Sequence, residues 1–81
     1  MGSMPKTIFS AEQISLQSLL RETRSEVGLT QAALAKKLKR PQSFVCKYEI
    51  GERRLDLIEL RQVCRALGLS LTEFVKRFDK R

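Results

Sequence analysis

The 81 residues, 42% hydrophobic and 31% charged, suffice for one domain, because two cores would leave each half below the size that folds unaided. Sixteen Lys and Arg against nine Asp and Glu leave +7, which points toward a polyanion or an acidic membrane surface. There is no histidine, which removes the commonest general base, proton switch and metal ligand together. The two cysteines, Cys46 and Cys64, form no Cys-x-x-Cys pair and cannot build a disulfide framework.

No apolar run approaches the ~18 residues of a membrane span and no signal peptide is visible, so a soluble, intracellular chain is expected. Met1-Gly2-Ser3 ahead of Met4 reads as a cloning scar. Residues 1–8 are set aside as scar and flexible N-terminus, and 9–81 are taken as the domain.

A helix opens where a capping side chain is followed three residues later by Glu or Gln, with apolar residues before the cap and at the fourth helical position as a staple. Ser10 with Gln13, Phe9 and Ile14 opens a helix over 11–27, which Gly28 ends. Thr30, stapled by Leu29 and Leu34 but with Ala33 in place of the carboxylate, opens 31–38. After Lys39 and Arg40, Pro41 starts a helix over 41–50, since its missing N–H is unpaired in a first turn anyway, and Gly51 ends it. Asp56 with Glu59, Leu55 and Leu60 opens 57–67, closed by Gly68. Ser70 with Glu73, Leu69 and Phe74 opens 71–79.

Apolar residues recur at helical spacing through these segments: Leu16, Leu19, Leu20 and Val27; Leu34, Ala35 and Leu38; Val45 and Tyr48; Leu57, Leu60, Val63, Cys64 and Leu67. No strand is predicted. The fold class is all-α, a compact five-helix domain. Cys64 and Tyr48 are expected in the core, Tyr48 with its hydroxyl at the surface, and Phe44 is expected to pack against helix one or two.

Helices two and three are short and joined by two residues, so the pair turns sharply, as in a helix-turn-helix. The stretch Leu29-Thr30-Gln31-Ala32-Ala33-Leu34-Ala35-Lys36-Lys37-Leu38-Lys39-Arg40-Pro41-Gln42-Ser43-Phe44-Val45-Cys46-Lys47-Tyr48-Glu49-Ile50-Gly51 closely resembles the helix-turn-helix of the lambdoid phage repressor and Cro family, the XRE type. The likeness runs from Leu16 to Phe74. It implies a repressor-like fold whose third helix lies in the major groove of double-stranded DNA. It also implies that Gln31 binds a phosphate and braces Gln42, that Gln42, Ser43 and Lys47 read bases, and that Arg24 and Glu49 pair between helices one and three. Amides suit adenine and Lys suits guanine independently of the resemblance. Two positions depart from the family: Lys39 stands where glycine is usual, and Ile50 where a polar residue often touches phosphate. Lys39 would cost about 1 kcal/mol if left-handed, unless the turn differs.

Residues 36–54 hold seven basic and two acidic side chains, a net +5. Arg40, Arg53 and Arg54 are therefore expected on phosphates. Leu71, Val75 and Phe78, with Phe74, share one face of helix five and exceed what the core needs, so Leu71, Val75 and Phe78 are expected to form a homodimer interface. The function expected is sequence-specific regulation of transcription on a palindromic operator, by a cytoplasmic, nucleoid-associated protein of bacterial or phage origin. No enzymatic constellation, metal site, cofactor, membrane contact or small-molecule substrate is expected. The rival reading is a protein-interaction module on the same scaffold that does not bind DNA.

Overall fold

The computed structural model describes residues 10–81; Phe9 and the segment read as scar and flexible N-terminus lie outside the described residues. Five helices follow in order: α1 (Ala11–Val27), α2 (Gln31–Leu38), α3 (Gln42–Ile50), α4 (Leu57–Leu67) and α5 (Leu71–Asp79). No strand occurs among the described residues. The N-terminal signals act as their chemistry requires. Ser10 and Thr30 accept the N–H of Gln13 and Ala33, each at 3.0 Å. Asp56 with Glu59, and Ser70 with Glu73, form reciprocal boxes that satisfy donors at both ends of the first turn. Pro41 differs from expectation by one position. It sits at the N-cap with ψ 152°, outside the helix, and only its carbonyl joins the turn, accepting the N–H of Phe44 at 3.0 Å.

The turn between α2 and α3 is decided at Lys39, which is left-handed (φ 58°, ψ 43°). The Lys39 N–H donates to the Lys36 carbonyl at 3.1 Å and the Arg40 N–H to the Ala35 carbonyl at 3.0 Å. This is the 5→2 and 6→1 pattern that closes a helix through a left-handed residue, here a lysine accepting strain that glycine would not carry.

The core takes Leu19 and Leu20 from α1, Leu34 and Ala35 from α2, Phe44, Val45 and Tyr48 from α3, Val63, Cys64 and Leu67 from α4, and Phe74 from α5. Phe44 meets Tyr48 edge-on at 5.5 Å. The Tyr48 hydroxyl does not reach the surface as expected: it is buried without a hydrogen-bond partner among the described residues. Burial raises its pKa, and likewise pushes the Cys64 thiol up to about 11. Val27 and Leu57, assigned to apolar stripes, are exposed because each is a terminal residue of its helix that no neighbouring element covers.

The α5 face also differs from expectation. Leu71 and Phe78 are half-buried and pack against the core, so only Val75 of the three is surplus to it. Arg77 pairs with Glu26 at 2.9 Å and Arg81 with Glu22 at 2.5 Å, tying α5 to α1. No helix among the described residues is long and apolar enough to cross a membrane.

Candidate nucleic-acid interface

At 3.6 residues per turn, Gln42, Cys46, Ile50, Ser43 and Lys47 occupy an arc of roughly 140° on α3, while Phe44, Tyr48, Val45 and Glu49 fill the rest. Burial follows that division. The second set is buried; Gln42, Ser43, Lys47 and Ile50 are exposed and Cys46 is half-buried. Apolar packing thus turns three polar side chains outward together on one short helix. Ile50, the last residue of α3, falls near the middle of that arc and interrupts it with half of its surface exposed.

An internal ion pair fixes the rotation of α3. Glu49, 2% exposed, accepts Arg24 Nε at 2.7 Å and Nη2 at 3.0 Å. Its Oε1 also accepts the Gln31 amide at 3.0 Å, while Arg24 Nη1 donates to the Leu29 carbonyl at 2.9 Å. The hydrogen bonds to Glu49 raise the Arg24 pKa above its ordinary value, against the opposing effect of burial. The expected pairing of Arg24 with Glu49 is present. Gln31 stands on it, half-buried, and differs from expectation: its amide nitrogen is hydrogen-bonded to Glu49, the nearer acceptor, and no hydrogen bond joins it to Gln42.

Gly51 ends α3 at φ +88°, a left-handed backbone that favours glycine, and a Cβ there would stand 2.6 Å from Nε2 at the end of the Gln17 side chain, which would have to shift.

Arg40, in the turn before α3, and Arg53, in the loop after it, converge on one carboxylate. Arg53 pairs closely with Glu59 Oε2, and Arg40 reaches the same oxygen at 3.5 Å. Both guanidiniums also lie over the Phe44 ring, at 4.4 Å for Arg40 and 5.0 Å for Arg53. Arg54 is exposed. The structure therefore places Gln42, Ser43 and Lys47 on one open face and Arg40 and Arg53 beside one another. Glu59 was visible in sequence only as the N3 residue of a capping box; its second role depends on a contact between a loop and a helix start that sequence spacing does not reveal.

A family model described as a helix-turn-helix domain matches residues 16–75, which includes α2, α3 and α4 entire. An XRE-family like protein from Pseudomonas syringae pv. tomato str. DC3000 superposes with a TM-score of 0.83 at 45% identity, over 93% of this chain and 92% of that one. The chain belongs to the XRE-type helix-turn-helix family.

Two further solved structures share the fold of this XRE-type domain. The restriction-modification controller protein C.Esp1396I, a tetramer in complex with its natural 35 base-pair operator, gives a TM-score of 0.80 at 24% identity, over 88% of this chain and 93% of that one. The clp gene regulator ClgR from Corynebacterium glutamicum gives 0.76 at 24%, over 88% and 76%. No curated protein matches the chain.

Proposed function

We propose that this XRE-type domain is a cytoplasmic, sequence-specific regulator of transcription that binds double-stranded DNA as a homodimer on a palindromic operator. The observation that carries the reading is the outward arc of Gln42, Ser43 and Lys47 on a helix whose other face is core. In the major groove Lys47 suits guanine O6/N7 and Gln42 suits adenine N6/N7, while Ser43 accepts or donates to either. Arg40, Arg53 and Arg54, with Gln31 at the start of α2, engage phosphates and set the register of that helix. The reading is that of a binding protein, not an enzyme. The solved controller–operator complex supports DNA as the partner and oligomers as the binding form.

The homodimer is assigned to the α5 face, through Val75 and the uncovered parts of Leu71 and Phe78. A two-fold axis there sets two recognition helices about 34 Å apart, one helical turn, and requires inverted half-sites. Because Phe78 supports the core, Val75→Asp is the appropriate probe. Leu57 and Ile58, 68% and 64% exposed at the start of α4, are the competing apolar surface.

The test of the function is affinity against salt for a site selected from a random DNA pool and for random duplex. Expected is a steep log–log slope on both and a clear preference for the selected site. A slope near zero refutes phosphate contact; a steep slope without preference leaves only non-specific binding.

A further inference from the structure

Glu59 divides its two oxygens between unrelated tasks. Oε1 accepts the backbone N–H of Asp56 at 3.1 Å and closes the capping box of α4, whereas Oε2 faces the guanidiniums of Arg40 and Arg53. Phe44 floors both cations, 4.4 and 5.0 Å below them, and is itself held in the core against Tyr48. The Glu59 side chain is mostly buried (13% exposed), while each arginine side chain is 39% exposed, although Arg53 Nε is itself buried without a partner among the described residues. The two arginines come from opposite ends of the recognition helix: Arg40 precedes α3 and Arg53 follows it.

Two cations restrained on one internal anion behave differently from two free ones. A free arginine follows any phosphate within the reach of its flexible stem, whatever the sequence beneath. A guanidinium fixed by a carboxylate and an aromatic face donates only where a phosphate falls at a set position, as it does when α3 is seated on its proper bases. Glu59 also neutralises part of the charge that non-specific duplex would otherwise attract.

We propose that Glu59 is a specificity-determining positioning residue: by holding Arg40 and Arg53 over Phe44, it limits their phosphate contacts to the register set by base reading, and so suppresses binding to random DNA. This rests on the DNA-binding reading above and deepens it.

Glu59→Gln tests the proposal at nearly constant shape. The amide oxygen keeps the bond to the Asp56 N–H, and an NH2 group, a donor, replaces the oxygen that faces the arginines. A melting curve close to wild type confirms that the cap survives. Expected on random duplex is a salt slope steeper by about one and affinity higher by about eightfold at 0.1 M salt, the effect of one added phosphate contact. Affinity for the selected site should rise less, so the ratio of selected to random falls. The same substitution in an Arg40→Ala/Arg53→Ala background should leave the random-DNA slope where that background put it.

An unchanged or weaker affinity of Glu59→Gln for random DNA overturns the proposal. So does an equal steepening in the background without the two arginines, which would make the effect one of bulk charge. Should Glu59→Gln fail to fold, Glu59→Asp, too short to serve cap and arginines together, must show the same loss of discrimination, or the proposal fails. Wild-type binding that is steep and selective separates these results from failure of the DNA-binding reading, which a flat wild-type slope would sink together with the proposal.

Discussion

Glu49→Ala is expected to be the most damaging single change that leaves the outward arc of Gln42, Ser43 and Lys47 untouched. Glu49 is 2% exposed and Arg24 14%, so the substitution strands a nearly buried guanidinium, removing the acceptor of its Nε at 2.7 Å and Nη2 at 3.0 Å. It also takes the partner of the Gln31 amide. Breaking a buried pair from one side costs about 3–5 kcal/mol, because the surviving charge has lost water and gained nothing. A domain of this size has about 4–12 kcal/mol in total. The variant is therefore expected to melt far below wild type, at roughly 4–8 °C per kcal/mol lost. Urea unfolding followed by circular dichroism, with an unchanged m-value, gives the number. The pair Arg24→Met/Glu49→Leu supplies the sign test: with both charges replaced by apolar groups of similar volume, stability should return to within about 1 kcal/mol of wild type or exceed it. A loss below about 1 kcal/mol for Glu49→Ala, or a double variant no better than the single, would refute the claim that the ion pair's burial governs its energetics.

Gly51→Ala should cost at least about 1–2 kcal/mol from the left-handed backbone alone, and more from displacing Gln17, so Gln17→Ala should partly relieve it; additive losses would contradict the packing described. At alkaline pH the unfolded Cys64 thiol loses its proton above about 8.5 while the folded one keeps it to about 11. Folding stability should thus fall as pH rises through that window, and less steeply in Cys64→Ala, as urea melts at pH steps would show. Sedimentation at micromolar concentration should find a wild-type dimer and a folded Val75→Asp monomer; a Val75→Asp dimer disrupted by Leu57→Asp would move the interface to α4. Arg54→Ala should weaken selected and random DNA alike, whereas an altered site preference would make Arg54 a base reader.

The helix boundaries were legible because they are written in local chemistry: Asp56 with Glu59 and Ser70 with Glu73 mark starts that backbone donors require, and Gly28, Gly51 and Gly68 mark ends. Lys39 shows that a helix-ending left-handed residue need not be glycine, so its conformation is read from the hydrogen bonds of its neighbours. What sequence could not separate was burial at equal hydropathy. Phe78 is half-buried against the core and Leu57 left exposed, although both fall on apolar stripes, because the outcome depends on whether another helix lies over that turn. The polar side of the site divides similarly. The exposure of Gln42, Ser43 and Lys47 followed from the helical period, but the convergence of Arg40 and Arg53 on Glu59 joins residues through a loop whose path no periodicity encodes.

The central claim, that α3 reads bases through its outward arc, is tested most directly by selecting bound DNA from a random pool with wild type and with Lys47→Ala. The account predicts a wild-type consensus with inverted half-sites. It predicts a Lys47→Ala consensus relaxed at one base pair per half-site, with a cost of about 1–3 kcal/mol there and the remaining positions retained. A Lys47→Ala profile identical to wild type would contradict the placement of the recognition helix.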